Sequence, residues 1–231
     1  MLARWDYWRI KRIEFSGIVA LEESLLRETV SEYLKGFRFG FLPNDLYFFI
    51  NKESLTANLK EKFPRVEKIR VSKDFPDKLM IEISERGLFG ILCERGEDQN
   101  CFLLDKEGVV YEEAPKSTGH LIPKVEVDNK ALKPGAKVFT DDLIRQFEEA
   151  SRASSVFTGS FLVSYDLFSK IPREIQAVNS EGVRLYLNTG DDFKKIFELL
   201  KAVLEKEIKE KRPLLDYVDL RFGNKIFYKF K

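Results

Sequence analysis

Cys93 and Cys101 are the two cysteines among 231 residues, and they flank one polar loop at the facing ends of two predicted strands. That arrangement can bring their Cα atoms within the ~5.5 Å a disulfide requires. In an oxidising compartment the bond would tie the hairpin; the other reading is two buried free thiols. With a single histidine, His120, two cysteines do not complete a structural zinc shell. His120 lies in a loop after Gly119, with no serine or cysteine motif beside it, and reads as a loop histidine without a catalytic role. Asp141-Asp142 and Asp191-Asp192 are the remaining acid–base candidates. Both pairs stand at predicted helix starts, where capping and the positive end of the dipole account for carboxylates. There is no glycine-rich phosphate loop and no G-x-S-x-G elbow. The expectation is a protein that is not an enzyme, with no catalytic, metal or cofactor site.

Composition points the same way. Lys+Arg 39 against Asp+Glu 38 leaves a formal charge of +1, so no global field favours nucleic acid or acidic membranes. Hydrophobic residues at 44% and charged residues at 33% belong to a globular chain able to bury a core. No apolar run reaches the roughly 18 residues a membrane span needs. Trp5, Tyr7 and Trp8 stand among Arg4, Arg9, Lys11 and Arg12, the aromatic–basic mixture of a headgroup zone beside a membrane helix. A frayed tail or a first strand with exposed aromatics fits the same residues.

Up to about residue 86 the chain predicts strand, helix, helix, strand, strand. Ile13-Glu14-Phe15 alternates and stops at Ser16-Gly17. Leu26, Val30, Tyr33, Leu34 and Phe37 recur at helical spacing, and Gly36 and Gly40 close that helix. Asn51 caps a second helix carrying Leu55, Leu59 and Phe63, ended by Pro64. Strands at 66–71 and 78–83 follow, with Lys73-Asp74-Phe75-Pro76-Asp77 as the turn. So small a set forms one sheet with its helices on one face.

Beyond residue 87 the predicted strands lie at 88–93, 101–105, 109–111, 161–165, 175–178 and 183–187. One helix runs from Asp141 to about Ser154. Another is predicted from Asp192 to Lys211, about 30 Å long, with Phe193, Ile196, Phe197, Leu200, Val203, Leu204 and Ile208 as its apolar stripe. Its other face mixes lysines and glutamates, which is solvated surface. Pro213 is expected to stop it. Two strands close the chain across Gly223-Asn224. Val218, Leu220 and Phe222 alternate with Asp219 and Arg221; Ile226, Tyr228 and Phe230 alternate with Lys225, Phe227 and Lys229. Alternation around a two-residue glycine turn is the strongest short-range hairpin signal. The last strand has no later segment to pair with, and Lys225, Lys229 and Lys231 guard it as edge lysines do. An ordinary terminal strand protected from aggregation satisfies this spacing; so does an edge that accepts a strand from another protein.

The closing Tyr217-Val218-Asp219-Leu220-Arg221-Phe222, its glycine turn and its final strand resemble the C-terminal signature of the bacterial cell-division family FtsQ, also called DivIB. The start resembles that family's POTRA module: a strand ending in Gly17, a Phe63-Pro64-x-Val66 corner, a turn ending Phe75-Pro76, then Leu79-x-Ile81-x-Ile83-x-Glu85. Phe102-Leu103-Leu104-Asp105-x-x-Gly108-Val109-Val110-Tyr111 and Leu121-Ile122-Pro123 resemble the opening of its β-domain. Arg86-Gly87-Leu88-Phe89 departs from the usual junction, and the glycine expected soon after Pro123 comes only at Gly135.

The resemblance implies an α+β fold: residues 1–9 juxtamembrane, 10–86 a POTRA domain (β-α-α-β-β), and 87–231 a mixed-sheet β-domain with two helices and a C-terminal hairpin at the sheet edge. It implies a divisome scaffold anchored in the cytoplasmic membrane through an N-terminal helix absent from this sequence, with the present residues outside the cytoplasm at the septum. Its partners would be FtsB/DivIC and FtsL, without nucleic acid or small-molecule substrate. The implied partner site is Arg173, Arg221, Phe222, Gly223 and Asn224 with Lys225, Ile226, Phe227, Tyr228, Lys229 and Phe230. Relatives commonly have tyrosine where Phe222 stands, so a hydroxyl is lost and an aromatic anchor kept. The alternative for a POTRA fold is an assembly chaperone for secreted or outer-membrane chains, which typically repeats the module; no second copy occurs here.

Overall fold

A computed structural model describes residues 6–96, 100–115, 122–128, 132–167 and 173–231. Arg4, Trp5, Gly119, His120 and Leu121 lie outside the described residues. The chain divides into two compact units between Arg86 and Gly87.

The first unit contains β1 (Arg12–Ser16), α1 (Glu23–Lys35), a short β2–β3 hairpin (Phe37–Arg38 and Leu42–Pro43), α2 (Lys52–Lys62), β4 (Val66–Asp74) and β5 (Lys78–Glu85). The sheet order is β1-β5-β4, with β1 parallel and β4 antiparallel to the central β5. Alternation on β5 sends Leu79, Ile81 and Ile83 inward, where they meet Leu26, Val30 and Leu34 of α1 and Leu55 and Leu59 of α2. Burying each such side chain is worth ~1.5–3 kcal/mol. Asn51 caps α2, its Oδ1 accepting from the Ser54 N–H at 3.0 Å. After β1 the chain turns at Gly17, where φ is 77° and an added Cβ would sit 2.1 Å from the Ile83 carbonyl oxygen; only glycine fits. Glu85 then fastens the turn, its Oε1 accepting from the N–H groups of Val19, Ala20 and Leu21 at 2.8, 3.0 and 3.1 Å. Burial raises that carboxyl's pKa, but these hydrogen bonds and Arg65 outweigh it and leave it lowered.

The second unit contains β6 (Leu88–Glu94), β7 (Cys101–Asp105), β8 (Val110–Glu113), β9 (Lys124–Val127), α3 (Asp141–Thr158), β10 (Leu162–Leu167), β11 (Glu174–Asn179), β12 (Arg184–Asn188), α4 (Phe193–Val203), β13 (Leu215–Phe222) and β14 (Lys225–Phe230). They form one nine-stranded sheet, β14-β13-β12-β11-β10-β9-β6-β7-β8. The parallel pairs β9–β10 and β12–β13 are joined through α3 and α4, as parallel neighbours require a crossover. Ile144 and Phe147 of α3 and Phe197 and Leu200 of α4 pack with Leu104, Ala177, Leu185 and Val218 of the sheet.

Three elements depart from the sequence expectation. The first helix ends at Lys35, so Phe37, expected on its apolar stripe, opens β2 and is exposed. β9 carries Lys124-Val125-Glu126-Val127, too short an alternation to stand out, and is held by parallel pairing on both sides. The long helix is α-helical only to Val203; Leu204–Ile208 is a π-helix and Lys209–Leu214 a 3-10 segment containing Pro213. Apolar residues spaced by four (Ile196, Leu200, Leu204, Ile208) drift around an α-helix by about 40° per step. The wider π turn absorbs that drift and keeps Ile208, 1% exposed, in the core.

Candidate functional site

β13 and β14 meet across a two-residue loop, with Phe222 opposite Lys225. Gly223 has φ 65°, and Asn224 is not in the left-handed region, the pattern of a II′ turn with glycine at its first central position. Pairing slips by one residue beyond Asp219, and again between Leu215 and Tyr217. The first slip breaks the simple alternation expected of β13, so that Val218, Asp219 and Leu220 are all buried.

β14 keeps its period of two. Ile226, Tyr228 and Phe230 pack against the core, and the Tyr228 hydroxyl lies 3.4 Å from Glu207 Oε2. Lys225, Phe227 and Lys229 are exposed on the opposite face. Tyr228 thus belongs to the packed side of the strand, and Phe227 to the open side.

Among the described residues β14 has β13 as its sole sheet neighbour. Its outer backbone groups therefore face away from the sheet, as on any edge strand. The far edge is different. β8 is covered by the segment at 135–137: Val110 donates its N–H to the Ala136 carbonyl at 3.0 Å, and Gly135 donates to the Val110 carbonyl at 2.7 Å. These bonds occupy Val110, the first residue of β8, whereas no comparable bond is made along the outer side of β14 among the described residues.

Beside that ladder the sheet's open face carries an aromatic and cationic row. Phe222 (55% exposed) and Phe227 (51%) meet edge to face at 5.2 Å between centroids. The Arg221 guanidinium lies 5.8 Å from the Phe222 ring and 5.2 Å from that of Tyr186, and Tyr186 meets Tyr217 at 5.7 Å. Arg221 is held firmly. It donates to Asp219 at 2.8 and 2.5 Å and to Glu174 at 2.5 Å, tying β13 to β11 across β12. Burial alone would raise the Asp219 carboxyl's pKa, but hydrogen bonds from the Arg221 side chain and N–H lower it. The same carboxylates, Asp219 first, raise the Arg221 pKa. Arg221 is therefore an internal brace whose planar face stays stacked between rings.

Arg173, placed in the site by resemblance, precedes β11 with φ 78°, and its carbonyl accepts from the Thr189 N–H at 2.7 Å. It lies opposite Thr189, next to Asn188, whose Nδ2 donates to the Arg221 carbonyl at 3.2 Å. Arg173 and the hairpin thus share one end of the sheet. Sequence reading did not select Glu174, Tyr186, Asn188, Tyr217 or Asp219. The outward positions of 183–187 mark Tyr186 as surface, but nothing in the spacing pairs β12 with β13, a partner about 30 residues away.

Cys93 and Cys101 lie opposite each other on β6 and β7, and the structure joins them in a disulfide with Cα atoms 4.1 Å apart. Among the described residues no group of three or more His, Cys, Asp or Glu side chains is placed to hold a metal, and no helix is long and apolar enough to cross a membrane.

Comparison with known proteins bears on both units. Residues 9–86 match the POTRA domain, FtsQ-type. Over 240 residues the chain is 24% identical to the cell division protein FtsQ of Syntrophotalea carbinolica, spanning 99% of this chain and 76% of that one. It is 23% identical to the cell division protein DivIB of Clostridium botulinum strain Hall over 231 residues, and likewise to that of strain Loch Maree over 234, covering 96% of this chain and 82% of each relative. The FtsQ-type POTRA match and these whole-length similarities make the chain a relative of the FtsQ/DivIB cell-division proteins.

Proposed function

We propose that this chain is a non-enzymatic scaffold of the cell-division machinery that captures a partner by strand addition to β14. The observation that carries the reading is the bare outer ladder of β14, flanked by Phe222 and Phe227, on a sheet whose other edge is already bonded at Val110. Main-chain hydrogen bonds supply affinity in this mode, and alternate side chains supply selectivity. The paired rings offer an aromatic anchor. Lys225 and Lys229 favour an acidic guest segment and make association salt-sensitive. The partners that fit are FtsB/DivIC and FtsL-type proteins, met outside the cytoplasm by a membrane-anchored form of the chain. Arg221 stands on β13 next to that edge, and Arg173 at the same end of the sheet but three strands in from β14; Arg221 acts there mainly by holding the hairpin.

The test is binding of a peptide from the FtsB/DivIC partner, measured by calorimetry on the folded chain and on Phe227→Asp. Phe227 is exposed, so the variant should keep its circular dichroism and unfolding midpoint. Affinity should fall at least ~10-fold, the loss of about 1.4 kcal/mol at an aromatic anchor. Unchanged affinity with intact fold refutes strand addition at this edge.

A further inference from the structure

The first unit holds an exposed aromatic surface of its own. Three segments converge on the end of its sheet where β5 begins: the entering chain at Tyr7 and Trp8, the α1–α2 connection, and the β4–β5 turn at Phe75. The Trp8 ring lies 5.2 Å from Phe48 and 5.5 Å from Phe75, with Tyr7 set edge-on against Trp8 at 5.1 Å. Backbone bonds fix this grouping, Tyr47 donating to the Trp8 carbonyl at 2.8 Å and Ile10 to that of Asp45 at 2.8 Å. Beside it the β2–β3 hairpin projects Phe39 and Phe41, 76% and 77% exposed. A core could have been built without any of these rings in water.

The charge around them has one sign in excess. From Lys35 to Lys52 the sequence has three cations (Lys35, Arg38, Lys52) and one carboxylate, Asp45. That carboxylate is engaged by Arg9 at 2.6 Å. Arg38 lies 5.0 Å from the Phe39 ring and Lys73 lies 5.0 Å from that of Tyr47. Lys73 also donates to the Tyr47 carbonyl at 2.7 Å, and burial, reinforced by the nearby charge of Lys52, lowers its pKa. The chain leaves the unit at Arg86, beyond the opposite end of β5 and seven residues' rise away from Lys78, about 23 Å.

We propose that this end of the first unit docks on an anionic lipid bilayer, with Phe39 and Phe41 inserted at the headgroup level and Lys35, Arg38 and Lys52 over the lipid charge. Aromatic rings interspersed with cations are what an interface of apolar tails and anionic headgroups accepts. A flat protein partner favours a recessed or level surface, whereas a protruding hairpin tip suits insertion.

The probe is the 231-residue chain with vesicles of phosphatidylcholine containing one-quarter phosphatidylglycerol. Both tryptophans lie within the first eight residues, so indole emission reports on this end alone. The expected result is co-sedimentation that weakens with salt, a blue shift, and quenching by brominated lipid. Phe39→Asn with Phe41→Ser should cut partitioning about tenfold without altering circular dichroism; asparagine tolerates the positive φ of 53° at position 39. No partitioning overturns the proposal. So does partitioning unaffected by the double variant, which would assign binding to the first residues only. A dimer in the absence of vesicles, dissociated by the same variant, also overturns it, because a second copy would then be the occupant.

Discussion

Arg221 shows how a residue can belong to a site without being its contact. Its guanidinium is spent on Asp219 and Glu174 while its flat face rests between Tyr186 and Phe222. Removing it strands Asp219, which is 8% exposed. Arg221→Ala should therefore cost about 2–3 kcal/mol in urea unfolding, unlike Phe227→Asp. The pH dependence checks the cause. Asp219's lowered pKa contributes stability that is present above its ordinary value of 3.8 and lost as pH falls through the lower folded value. The gap between parent and variant should therefore narrow below about pH 4. A gap independent of pH would place the loss in packing instead.

At the scale of elements, legibility followed period and locality. The alternation on β5 and β14, the Asn51 cap and the Gly223 turn are local, and each has the partner its spacing demands. What was not legible required distant partners. β9 is a strand because β6 and β10 flank it. The slip in β13 buries Asp219, and Arg221 compensates its charge, which no alternation rule contains. The π turn at Leu204–Ile208 answers to the core beneath it. The β2–β3 hairpin has only two residues per strand, and Phe37 at its start continues the helical spacing of α1. The disulfide on the β6–β7 hairpin closes so short a loop that its effect should be modest, about 2–3 kcal/mol in the chain-entropy account. Cys93→Ser with Cys101→Ser should lower stability by that amount, and by denaturant titration β14 function should survive.

At the scale of the molecule, each unit has its own core: one cluster lies wholly before Gly87 and the other wholly after it. The open β14 edge belongs to the second cluster alone, and the aromatic end to the first. Capture of a guest strand and contact with lipid thus draw on separate cores, so a substitution serving one should leave the other intact.

The covering of β8 by residues 135–137 also decides how many copies such a sheet can recruit. With Val110 already bonded, β8 is a poorer acceptor than β14, so the sheet should take a single guest, or one twin, at β14 rather than propagate into a filament. Light scattering during titration with the partner peptide should level off at one peptide per chain and show no growth in mass beyond that complex.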